Sequence, residues 1–157
     1  MPESIFSAVT NALHALSAVI WVGGMFFAYM VLRPSLGDHA PPQRLMLWNR
    51  VFQRFFPWVW LAVIVLPTTG YAMIFVDFGG FAEVGLHIHI MQGIGLVMIA
   101  LFLYLFAGPF KHLKKAVAGE DWPSAGKSLA VIRRIVGANL HLGLINVAIG
   151  ASGRLWP

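Results

Sequence analysis

The chain has 157 residues, of which 59% are hydrophobic and 11% charged, with a formal net charge of +5. So apolar a composition excludes an ordinary soluble domain and points to an integral membrane protein. There is no cysteine, which removes disulfides, thiolate metal sites and covalent CxxCH haem attachment; any metal must use His, Met, carboxylate or carbonyl groups.

Four stretches are long enough to cross about 30 Å of hydrocarbon at about 1.5 Å per residue: residues 5–32, 55–76, 84–107 and 132–152. They predict an all-α fold, an integral membrane four-helix up-and-down bundle, with residues 1–157 as one transmembrane domain. The first run lacks a preceding Lys or Arg and is too long for a signal peptide, so it is expected to stay as a helix.

On helix one, residues placed at 100° intervals gather Ser7, Thr10, Asn11, His14, Ser17, Trp21, Gly24, Met25 and Ala28 on one stripe. The opposite side reads Val9, Leu16, Val19, Phe26, Phe27 and Met30, a face that lipid tails accept. An ionisable group at the depth of His14 is costly without a partner and marks a functional site by default.

The first loop carries Arg33, Arg44, Arg50 and Arg54 against Asp38. The third carries Lys111, Lys114, Lys115, Lys127, Arg133 and Arg134 against Glu120 and Asp121. Both are expected to be cytoplasmic, because positive charge stays inside; the second loop, with Asp77 and Glu83, and the N-terminus, with Glu3, then face out. Both termini are therefore expected outside a bacterial inner (cytoplasmic) membrane. The basic charge reports orientation and no nucleic-acid partner. Within the first loop, Leu45, Trp48, Val51, Phe52 and Phe55 recur at helical spacing, as in a juxtamembrane segment at the interface. In helix two, Pro67 removes one backbone hydrogen bond, which Thr68 and Thr69 are placed to replace in part.

In helix three, His87 and His89 point about 200° apart and cannot both ligate one ion from a helix. His89 shares its face with Gly85, Gln92, Gly93, Leu96 and Ala100 and is the inward candidate; His87 lies with Met91 and Met98 nearer the outer boundary. An extended segment here would reverse the choice. Asp121, Trp122 and Pro123 resemble a helix start, so helix four is expected to begin before the membrane and run about 30 residues. Its Asn139, Gly143, Asn146, Gly150 and Gly153 form a small and polar stripe with His141 roughly opposite, and either face could pack inward. A small-residue face on helix three or four could also support a homo-oligomer.

His14 and His89 lie about 14 Å and 8 Å from the outer ends of their helices, close enough to be level. In an up-and-down bundle they are diagonal neighbours, placed to ligate a porphyrin iron from both sides. His141 and His87 are the alternate ligands. His39 and His112 fall in basic loops and are expected to be solvated. Met25, Met73, Met91 and Met98 read as packing residues, although thioether and imidazole together suit copper.

The run from Leu13 through His14, Trp21, Gly23 and Gly24 to Phe26, closed by Arg33 and Pro34, resembles the first helix of CopD-type membrane proteins. It is also similar to the first helix of HemJ-type protoporphyrinogen oxidases. The resemblance implies a four-helix architecture with His14 as a haem b ligand. HemJ-like proteins open their third helix with His-x-Lys, where this chain has His87, Ile88 and His89; the missing lysine speaks against that oxidase activity and for two imidazole ligands. The expected function is then a haem b-binding, cytochrome b-like protein engaged in electron transfer or membrane oxidoreductase chemistry. Asn11, Ser17 or Gln92 would hydrogen-bond the distal ring nitrogens. A quinone or quinol in the lipid bilayer, or a redox protein, would be the electron partner. The alternatives are CopD-like copper transport and HemJ-like protoporphyrinogen IX oxidation.

Overall fold

The computed structural model describes residues 5–155, apart from the Arg154 side chain; Glu3, used above for orientation, lies outside them. The chain forms α1 (Ile5–Ser35), α2 (Pro41–Val76), α3 (Leu86–Ala107), α4 (Pro109–Ala118) and α5 (Trp122–Ser152). Helices α3 and α4 follow one another through Gly108, so the described residues form four spans, each long and apolar enough to cross a bilayer. No strand occurs among the described residues. The protein is an all-α integral membrane four-helix bundle.

The boundaries differ from expectation where proline chemistry decides them. Ala40 is extended (φ −56°, ψ 145°) and is followed by Pro41 and Pro42, whose fixed φ and missing N–H suit a first helical turn. The amphipathic segment expected at the interface is therefore the start of α2 itself. At 36 residues and about 1.5 Å per residue, α2 is longer than the hydrocarbon is thick. It continues through Pro57 and Pro67. Next to Pro67, the Thr68 hydroxyl donates to the Ile64 carbonyl and the Thr69 hydroxyl to the Val65 carbonyl, each at 2.7 Å.

The start of α5 is as expected. The Asp121 carboxylate accepts from the Ser124 amide at 3.1 Å, and Ser124 holds this carboxyl below the usual carboxylate range. By contrast, the periodicity of α1 conceals two π-helical segments, Val19–Gly23 and Phe27–Leu32.

The bundle is two pairs: α1 packs along α2, and α3 with α4 packs along α5. The end where α4 lies is closed by an aromatic column. Trp48, Phe52 and Phe56 stack one helical turn apart, with centroids 5.3 and 5.2 Å apart, and Phe110 meets Phe56 edge-on at 4.7 Å. Leu113, Ala125 and Ile132 are fully buried beside it. The lipid face of α1 is as periodicity predicts, since Val9, Leu16, Val19, Phe26, Phe27 and Met30 are all exposed.

Candidate functional site

His14 is half-buried and faces α2. Its Nδ1 lies 2.9 Å from Thr69 Oγ1, and the next residue, Gly70, leaves its Cα beside the imidazole: a Cβ there would be 3.5 Å from His14 Cε1. The Thr69 hydroxyl also meets the Val65 carbonyl at 2.7 Å. With the hydroxyl proton on Val65, the ring supplies Nδ1–H to Thr69 and Nε2 keeps its lone pair; with the proton turned to Nδ1 the tautomer reverses. Periodicity cannot reveal Thr69 as the partner, because the relative rotation of two helices is not written in either one. The Thr-Thr-Gly sequence after Pro67, small and polar at bilayer depth, is the available signal.

The stripe around His14 is partly as expected. Thr10, Ser17, Trp21 and Met25 are buried, while Asn11 is exposed. Thr10 donates to the carbonyls of Phe6 and Ser7 on its own helix. At the N-terminal end Ser7 Oγ donates to Asp77 Oδ1 at 2.6 Å, tying α1 to the end of α2. Gln92, expected near a histidine ring, instead donates through Nε2 to the Tyr71 hydroxyl at 2.8 Å.

His89 requires a correction. It is exposed, with its ring stacked on Phe81 at 6.2 Å, and does not face the bundle interior. Helix α3 begins at Leu86, so both histidines are helical and only one can point inward. The glycine strip that made His89 attractive is open: Gly93 is exposed, and a Cβ on it would meet nothing within 4 Å. The residues turned toward α5 are His87, Met91 and Met98.

Their counterpart is the small-residue stripe of α5. A Cβ on Gly153 would lie 2.9 Å from the His87 ring, one on Gly150 2.8 Å from Met91 Cε, and one on Gly143 3.2 Å from Met98 Cε. The missing Cβ at these positions lets the long side chains of α3 lie close against α5. This decides the orientation left open by sequence. The stripe packs inward, and His141 is exposed on the far side, its Nδ1–H donating to the Gly137 carbonyl at 2.7 Å.

Several polar atoms along this seam lack partners. Asn139 is 3% exposed; its Nδ2 donates to the Met98 carbonyl at 3.1 Å, but its Oδ1 has no hydrogen-bond partner among the described residues. The same is true of Asn146 Oδ1 and His87 Nδ1. Buried orphans of this kind are uncommon and call for an explanation. Among the described residues no three His, Asp or Glu side chains come together as a metal group. A site in this bundle has to draw on thioethers and amides as well. His39 is exposed in the loop before α2, and His112 is exposed on α4, where the sequence predicts a loop.

A helical membrane bundle with an inward row of imidazole and thioether groups defines the class. Residues 49–152 match the model of CopD, copper resistance protein D, and the chain belongs to that family. The matched stretch runs from within α2 to the end of α5 and leaves out α1, where the sequence resemblance is strongest. The chain is also 32% identical over 146 residues to an uncharacterized protein of Aquifex aeolicus (strain VF5), covering 91% of this chain and 92% of that one. No solved structure matches the chain.

Proposed function

We propose that the protein handles copper inside a bacterial cytoplasmic membrane, with cuprous ion as its cargo and the α3–α5 seam as the place it is held. The supporting observation is the Nδ1 of His87, which has no hydrogen-bond partner among the described residues, at the head of an inward row that continues through Met91 and Met98. Residues four apart on a helix have Cβ atoms about 5–6 Å from one another, so His87 and Met91 can act on one ion. Met98 lies two turns deeper. Soft thioethers select the cuprous ion over harder divalent metals, and imidazole tolerates either. The basic loops lie on the cytoplasmic side in this reading, and the His87 end opens outward.

The test is an anaerobic cuprous titration of detergent-purified protein against a competing cuprous chelator. His87→Ala and Met91→Leu are each expected to weaken retention by about tenfold or more, since loss of even a residue behind a ligand costs about 10–100-fold. Unchanged affinity in both variants would overturn the reading.

A bis-histidine haem does not fit this arrangement. With Nδ1–H on Thr69, His14 has the form of an oriented axial ligand, Nδ1 held and Nε2 free, but the expected opposite ligand, His89, stands on the surface. Paired low-spin α and β bands in the reduced protein, abolished by His14→Ala, would restore the haem reading over the copper one.

A further inference from the structure

Far from the His87 row, arginines from three helices converge at the end of the bundle where α4 lies. The guanidinium of Arg33, on α1, stands 5.0 Å over the Tyr29 ring. Tyr29 in turn lies against α5, where a Cβ on Gly137 would be 3.2 Å from its hydroxyl. Gly137 is one helical turn from Arg133, and Arg33, Tyr29 and Arg133 line one cleft together with Trp48 of α2. Arg44 precedes Trp48 by one turn and so shares its face of α2. The charge of Arg133 interacts with those of both Arg33 and Arg44.

Like charges gathered in this way repel one another unless a counter-charge joins them. The protein supplies none. Among the described residues none of the three arginines has an ion-pair or hydrogen-bond partner, and Asp38, in the loop that joins α1 to α2, is exposed and pairs with none of them. The Nε of Arg133 is buried, which holds its side chain in place, whereas its two Nη groups are unpartnered and reach the surface. A held guanidinium with open Nη groups presents the paired donors that match a phosphate.

The level of the cluster points to the source of that phosphate. Arg33 follows the apolar run of α1 and Arg133 stands at the start of that of α5, so both lie where hydrocarbon gives way to headgroups. Beneath them the cleft is apolar, walled by Ala28, Phe52 and Val136. Basic pockets between membrane helices at this level hold anionic headgroups.

We infer that the cluster is a binding site for the phosphodiester of an anionic phospholipid, held between α1 and α5 by Arg33 and Arg133, with Arg44 adding charge. The site is separate from the His87 row and does not require copper.

Native mass spectrometry of the detergent-solubilised full chain tests it, with dioleoylphosphatidylglycerol, dioleoylphosphatidylcholine and inorganic phosphate as probes. Phosphatidylglycerol should be retained one-to-one and about tenfold more tightly than phosphatidylcholine, whose own cation the cluster repels. Arg133→Gln and Arg33→Gln should each weaken the phosphatidylglycerol complex about tenfold, the scale of one charge-assisted hydrogen bond. Arg33 is exposed, so its variant reads the site without disturbing the packing around Arg133. Arg134→Gln removes the same charge from the next residue, which is exposed and outside the cleft, and should leave retention unchanged. Equal retention of the two lipids, full retention in Arg33→Gln, or an equal loss in Arg134→Gln would each overturn the inference. Inorganic phosphate that displaced the lipid and bound with the same arginine dependence would assign the cluster to a free anion, and would overturn it as well.

Discussion

Thr69 shows how one hydroxyl can set the chemistry of a histidine on another helix. Its oxygen lies 2.7 Å from the Val65 carbonyl and 2.9 Å from Nδ1 of His14, so with its proton on Val65 it accepts Nδ1–H of the ring. Replacing it with valine keeps the shape but strands the ring Nδ1 at bilayer depth, a loss of about 1–3 kcal/mol for a buried polar atom without a partner. Thr69→Val should therefore lower the thermal midpoint of the solubilised protein clearly, while Thr69→Ser stays close to the parent. Equal midpoints for the two variants would show that the hydrogen bond contributes nothing. At this scale the sequence is informative about which residues are unusual and silent about where they point across helices. His14 stands out from its apolar surroundings without any structure. The choice between His87 and His89 depends on the rotation of α3, which its own pattern of glycines and methionines leaves ambiguous.

The helices themselves were largely legible, because spans, basic loops and the Asp121 cap follow from hydropathy and local hydrogen bonding. Two features were not. The join between the interfacial segment and α2 leaves no mark in a hydropathy profile, since a helix that emerges from the membrane looks like a separate amphipathic piece. The π turns of α1 leave none either, because an i→i+5 turn is a backbone hydrogen-bond register that the hydropathy pattern does not encode. The glycine stripe of α5 was visible, and the partner helices give it meaning. A Cβ on Gly143 would come within 2.8 Å of Val22 and 3.2 Å of Met98, whereas one on Gly126 would meet nothing within 4 Å. Gly143→Val should cost about 1–3 kcal/mol through overpacking. Gly126→Ala should instead stabilise by up to about 1 kcal/mol through helix propensity. Urea or thermal unfolding of the two variants in the same detergent checks the opposite signs.

For the molecule as a whole, the proposed orientation rests on where its positive charges fall. The chain has no cysteine, so single cysteines can be introduced against a silent background. In intact cells a membrane-impermeant maleimide should label Ala82→Cys, in the loop between α2 and α3. It should spare Ala118→Cys, at the end of α4, until the membrane is permeabilised. The reverse pattern would invert the topology and place the His87 end of the seam on the cytoplasmic side.

The π turns of α1 also make azimuth a matter of residue count. Each such turn holds one residue more than an α-helical turn requires, and one residue corresponds to about 100° of rotation. The first lies between His14 and the part of α1 that packs beside α5. A chain one residue shorter in Val19–Gly23, wound as a plain α-helix, would carry His14 away from Thr69 toward the lipid with no change in any side chain at the site. The register of a segment more than a turn away is thus as much a determinant of the histidine's chemistry as the residues that touch it.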